Sequence, residues 1–137
     1  MAMESMGQAA VAFNGSRGVI RAGKLEIRLD DHLAMAGDRT LALSMRELGL
    51  LAALARRPGR IISREELYAT VWGGPLRATD RSVDVYVHKL RTKLAAALPE
   101  WRFIHTHFGF GYRFGPETSH AFTRRERRRN TLANDQE

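Results

Sequence analysis

The chain has 137 residues, 44% of them hydrophobic, which suffices for one domain of about 100 residues around a single core, with short tails. Its formal net charge of +7 favours a polyanionic partner, and the lack of cysteine excludes a disulfide framework and a thiolate metal site and fits a reducing compartment. The longest apolar stretch, Leu48 to Ala55, is too short to span a bilayer, and an N-terminus with Glu4 and no early Lys or Arg reads as a poor secretory signal, so a cytoplasmic protein with no membrane partner is expected.

Residues 1–18 are small and polar and read as a mobile leader or linker. The period is then two: Val19 and Ile20, Leu25, Ile27 and Leu29, Leu33 and Met35, Leu41 and Leu43, with Gly23-Lys24, Asp30-Asp31 and Gly37-Asp38 supplying turn chemistry. A small antiparallel meander with one buried face is expected. At Ser44 the period lengthens to that of a helix. Ser44 and Glu47 have capping-box spacing, Leu48, Leu51, Leu54 and Ala55 mark one face, and Pro58-Gly59 stops the helix. Ser63 and Glu66 repeat the capping spacing ahead of a second helix through Leu67 to about Trp72, which Gly73, Gly74 and Pro75 end.

After the 73–79 loop, Thr79 or Asp80 can cap a third helix over residues 80–94. At about 100° per residue, Val83, Val87, Leu90 and Leu94 form one apolar seam, while Arg81, Val85, His88 and Thr92 lie nearly opposite, flanked by Ser82 and Lys89. That outward face is basic or neutral and suits a phosphate-lined groove. Beyond Pro99, Trp101 to His107 and Gly109 to Phe114 read as two strands around a tight bend, so two capped helices, a third with a basic face and a hairpin make a winged helix-turn-helix.

The ordered segments Ser63-Arg64-Glu65-Glu66-Leu67, Val71-Trp72-Gly73, Asp80-Arg81-Ser82-Val83-Asp84-Val85, Leu90-Arg91 and Gly109-Phe110-Gly111-Tyr112-Arg113-Phe114 resemble the winged-helix effector domains of OmpR/PhoB-type response regulators. The resemblance covers roughly residues 19–114. It implies an α+β fold with an N-terminal antiparallel four-stranded sheet, three helices and a C-terminal hairpin wing, and a transcription regulator that binds double-stranded promoter or operator DNA, often as tandem copies on direct repeats. Carried over by position, Ser82, Val85 and Lys89 are base-facing, Trp72, Arg81, Tyr86, His88, Arg91 and Thr106 face the DNA backbone, and His107 and Phe108 belong to the wing. The chemistry suits these roles: Val85 can touch a thymine methyl, Lys89 can donate to guanine, and Arg81, Arg91 and Thr106 offer charge or hydroxyl to phosphates.

Two features, one at the wing and one on the third helix, depart from the family pattern. Phe108 stands where many relatives carry Arg; a Phe cannot make the electrostatic contact of an Arg in a narrow minor groove, and can instead pack on sugars, wedge at a base step or fold back on the domain. His88 and Lys89 replace a frequent Arg pair and lack its planar fork, so softer base discrimination is expected. Only 18 residues precede the first expected strand, too few for a receiver domain of about 120 residues, so the chain reads as a stand-alone DNA-binding protein or the effector part of a longer one.

Other features have two readings. The 73–79 loop either simply connects helices or presents Leu76 and Arg77 to RNA polymerase, as the equivalent loop does in similar activators. His105 and His107 share a strand face, but no third ligand is placed by sequence, so no metal site is assigned. The 116–137 segment, with Arg124, Arg125, Arg127, Arg128 and Arg129, reads as a disordered solvated tail or an auxiliary backbone contact. No catalytic constellation or cofactor loop is present, so an enzyme is not expected. The competing class is a winged-helix interaction module that contacts polymerase or a regulatory partner without reading DNA.

Overall fold

The computed structural model describes residues 11–14 and 18–118. Five strands open it: β1 (Val11–Asn14), β2 (Val19–Ala22), β3 (Leu25–Arg28), β4 (Leu33–Ala36) and β5 (Arg39–Thr40), each antiparallel to the next. Ile20 lies opposite Ile27, and Ile27 opposite Ala34, so the register puts buried residues of three strands on one face.

The four expected strands are thus joined by a fifth from within the segment read as a leader. Val11 pairs with Ala22 and packs on the core, because the outer edge of β2 offers backbone groups that a short apolar stretch can satisfy. The last strand also differs from its expected place at Leu41 and Leu43. Pairing ends at Thr40; Leu41 N–H still donates to Ala34 C=O at 2.8 Å, and both leucines pack against the core on the way into the first helix.

Helix α1 (Met45–Ala55) begins at a complete capping box: Glu47 N–H donates to Ser44 Oγ at 3.2 Å, and Ser44 N–H donates to Glu47 Oε1 at 2.7 Å. Of the expected stripe Leu51, Leu54 and Ala55 are buried and Leu48 only partly so, while Leu50, Ala52 and Glu47 join the buried surface, because α1 is central and packs on both other helices and the C-terminal sheet. Glu47, only 2% exposed, also accepts from Lys93 Nζ at 2.7 Å. Burial opposes its ionisation, but the hydrogen bonds from Lys93 and Ser44 outweigh it and hold the carboxyl below the usual range.

A two-residue strand, β6 (Ile61–Ile62), separates α1 from α2 (Arg64–Val71). Only half of the second capping box forms. Glu66 N–H donates to Ser63 Oγ at 3.1 Å, whereas the Glu66 carboxylate turns to Arg57 instead of the cap. Helix α3 (Ser82–Ala97) is followed by β7 (Trp101–His107) and β8 (Gly111–Thr118), and β8 lies between β6 and β7 in a three-stranded sheet. β8 continues past the expected domain end at residue 115, pairing Glu117 with Arg102 and Thr118 with Trp101. Phe103 and Phe114 stack with centroids 6.1 Å apart at the base of this hairpin.

Among the described residues no helix is long and apolar enough to cross a membrane. The Arg124 to Arg129 cluster lies outside the described residues.

Candidate nucleic-acid interface

The third helix starts and ends later than expected, at Ser82 and Ala97, yet buries the seam read from its period: Val83, Val87, Leu90 and Leu94. Asp80 makes the entry. Its Oδ1 accepts from Ser82 N–H at 2.8 Å and from Ser82 Oγ at 2.5 Å, and these bonds lower its pKa. Of the two expected caps it is thus Asp80 that holds the first turn, and Arg81 at the cap position makes no side-chain cap bond.

Opposite the seam, Val85 is 46% exposed, and Arg81, His88, Lys89 and Thr92 are exposed. Ser82 is half-buried beside them, with its hydroxyl committed to Asp80. Lys89 extends over the ring of Tyr86, its Nζ 4.8 Å from the centroid. Tyr86 in turn meets Trp72 edge-on at 5.4 Å, and Trp72 stacks on Tyr68 at 5.3 Å with Arg46 at 5.1 Å from its indole. Trp72 and Tyr86 therefore form an aromatic step that joins α2 and α3, which accounts for their partial burial.

Arg91 and Thr106, assigned separate backbone roles from sequence, meet. Arg91 Nη2 donates to Thr106 Oγ1 at 2.6 Å and to Ile104 C=O at 3.0 Å, and Nε donates to the same carbonyl at 3.2 Å. Its guanidinium carbon also stands 5.4 Å from the Tyr112 ring centre, and burial lowers its pKa from the free value. Arg91 thus ties α3 to both strands of the wing.

A second tie was not anticipated. Asp84, on the α3 flank, accepts from Arg64 Nε of α2 at 2.7 Å and from the Tyr112 hydroxyl of β8. Burial disfavours its charge, but the Tyr112 and Arg64 bonds prevail and lower its pKa; burial, with the bond to Asp84, raises that of Tyr112. The acid is therefore neutralised by the domain. All three residues stand in the motif segments, but their spacing along the chain, 20 and 28 residues from Asp84, gave no sign that they converge.

At the wing, His107 Nε2 accepts from Arg113 Nε at 3.0 Å, and His105 Nε2 lies 2.7 Å from Gly115 C=O, so each imidazole has its own protein partner. Phe108 and Phe110 project from the tip, 87% and 73% exposed. Gly111 has φ +139°, and a Cβ there would lie 2.0 Å from Ile62 C=O, so only glycine lets β8 pass so close to β6. In the loop before α3, Arg77 is exposed, whereas Leu76 is half-buried and less available than expected.

Residues 38–114 match the family described as "Transcriptional regulatory protein, C terminal". The transcriptional regulatory protein CreB of Escherichia coli (strain K12) is 39% identical over 94 residues, 69% of this chain and 41% of that protein. The phosphate regulon transcriptional regulatory protein PhoB of the same strain is 36% identical over 96 residues, 70% of this chain and 42% of that protein. The chain thus spans only about two fifths of these curated relatives. Among solved structures, the Klebsiella pneumoniae RstA DNA-binding domain in complex with RstA box aligns with TM-score 0.63 and 34% identity over 70% of this chain and 95% of that one. The DNA-binding domain of CpxR from E. coli aligns with TM-score 0.65 and 29% identity over 70% of this chain and 94% of that one. Winged-helix architecture, motif order and family match agree: the chain belongs to the family of transcriptional regulatory protein C-terminal domains, of OmpR/PhoB type.

Proposed function

We propose that the chain is a sequence-specific double-stranded DNA-binding transcriptional regulator, acting in the cytoplasm by binding and not by catalysis. Helix α3 enters the major groove, and the wing closes on the backbone or minor groove of the adjacent turn. The observation that carries this reading is the exposed face of Val85 and Lys89 beside Ser82, opposite a fully buried seam and bracketed by a wing that Arg91 holds in place. RstA, a relative of the same fold, was solved bound to its DNA box, and AdeR was solved with an intercistronic region.

In this reading Val85 contacts a thymine methyl, Lys89 donates to guanine O6 and N7, and Ser82 is permissive. Arg81 and His88 meet phosphates directly; Trp72, Tyr86 and Thr106 offer an indole N–H and hydroxyls at the groove edge; His107 and Phe108 approach from the wing. Arg91 contributes charge while its hydrogen bonds hold the wing. Tandem copies bind direct repeats, and Arg77, with Leu76 behind it, faces RNA polymerase.

Selection of bound duplexes from a random pool tests the proposal. Enriched sites with a repeated half-site, bound with an affinity that falls steeply with salt, are expected. A flat pool with salt-insensitive binding to a protein partner would instead establish the interaction-module reading.

A further inference from the structure

The tip of the wing holds two phenyl rings in water. Phe110 N–H donates to His107 C=O at 2.9 Å, and Gly109 at φ +83° and Gly111 at φ +139° close the turn, which leaves Phe108 and Phe110 projecting. With 87% of its surface exposed, Phe108 does not fold back onto the domain. Between Trp101 and Pro116 the chain has no Asp or Glu but has Arg102, His105, His107 and Arg113, and the one acid of the hairpin, Glu117, is buried at its base, so the part that projects carries nothing that repels phosphates. Arg91 grips the hairpin at Ile104 and Thr106, and Phe108 begins roughly 7 Å farther along the strand direction, so the tip is a projection on an anchored base.

Resting on the reading that α3 occupies the major groove, the groove reached by such a tip is the neighbouring minor groove. We propose that Phe108, backed by Phe110, is an apolar wedge that enters this minor groove at a base step and bends the duplex. A phenyl ring has no charge with which to sense a narrow groove, but its flat apolar edge can replace part of the stacking between two base pairs and kink them toward the major groove. Pyrimidine–purine steps such as TA and CA unstack most readily, so the wedge selects such a step at a position where no side chain hydrogen-bonds to a base. The positions read by α3 are unaffected. The exposed rings are thus a specificity element of this chain, placed where a cation would sense groove width instead.

The test uses the full chain and its selected duplex, with dyes at the two DNA ends to report bending by energy transfer, and the variants F108A, F110A and F108R. Wild type is expected to bend the site by roughly 20–90°. F108A is expected to bind a straighter duplex roughly tenfold more weakly while selecting the same α3 half-site, and F110A to show a smaller loss. Replacing the flanking TA step by GG should weaken wild type but not F108A, and F108R should shift preference toward a narrow A-tract groove. Phe108 is exposed, so unchanged thermal unfolding confirms that each variant is folded. A straight wild-type complex with specific binding, or an F108A complex bent as strongly as wild type, overturns the wedge and leaves the DNA-binding reading standing. Absence of duplex binding by the wild-type chain overturns both.

Discussion

Arg91 of α3 and Thr106 of β7 are joined by a hydrogen bond of 2.6 Å, and the same guanidinium grips Ile104 C=O. A side chain that reads from sequence as a phosphate contact is therefore also a brace between the helix and the wing. Its planar fork suits this double duty, since one edge can satisfy a carbonyl and a hydroxyl together. Arg91→Ala should weaken binding to every duplex by roughly 1.5–3 kcal/mol and speed amide exchange in β7 and β8 near the tip. Arg91→Lys separates the two contributions: it keeps the charge and loses the fork, so exchange should accelerate nearly as much as in the alanine variant. Wild-type protection in the lysine variant would show that charge alone matters at this position.

Lys89 is exposed on the outward face and rests over Tyr86. Lys89→Ala should relax base preference at one position of the half-site by about 1–3 kcal/mol, with less effect on random duplex. Competition binding with single-base variants of the site measures this. Equal losses on cognate and random DNA would reassign Lys89 to the backbone.

Asp84 joins α2, α3 and the wing through Arg64 and Tyr112. Its pKa is lowered in the folded chain, so its contribution to stability is present above the unfolded carboxyl value of about 3.9 and is lost as pH falls through the folded value. Denaturant unfolding as a function of pH should show this loss below about pH 4 in wild type and less of it in Asp84→Asn. At neutral pH the substitution should cost roughly 1–3 kcal/mol, because Arg64 is left half-buried without its anion. An identical acid limb in both proteins would remove Asp84 from the linkage.

Gly109 and Gly111 are both in the wing turn, but their surroundings differ. A Cβ at Gly109, φ +83°, meets nothing within 4 Å, whereas one at Gly111 would collide with the backbone of Ile62 and Ser63. Gly109→Ala should therefore cost only about 1 kcal/mol, from the left-handed backbone, whereas Gly111→Ala should cost roughly 3 kcal/mol or more and displace β6 from β8. Thermal unfolding of the two variants decides between this ordering and one in which positive φ alone governs.

Much of this architecture was legible because it rests on local rules. Period two at Leu25 and Ile27 specifies the buried face of β3, and the Val83, Val87, Leu90, Leu94 spacing specifies the seam of α3 without knowledge of its neighbours. In β4 the reading fails: the pairing of Ala34 with Ile27 and of Ala36 with Leu25 turns the two alanines into the core and leaves Leu33 and Met35 half-buried on the other face. Where elements are short, local rules fail. Ile61 and Ile62 are too few to declare a strand, and Val11 to Asn14 pair only because β2 presents an open edge. Glu66 had the spacing to complete a capping box, but the nearby Arg57 offered its carboxylate a charged partner.

By itself the amino-acid sequence determined the family, the order of the longer elements and the outward position of Val85, His88 and Lys89 on the candidate reading face, since these depend on residue type and on periodicity within one segment. Only the tertiary structure decided what the charged and aromatic side chains do at that face. Arg91 turns to the wing, Asp84 is neutralised by Arg64 and Tyr112, Trp72 and Tyr86 form a step beneath Lys89, and Phe108 stands clear of the domain. Each outcome depends on groups distant along the chain coming within a few ångströms, and that proximity is set by the packing of α3 against α1 and the wing.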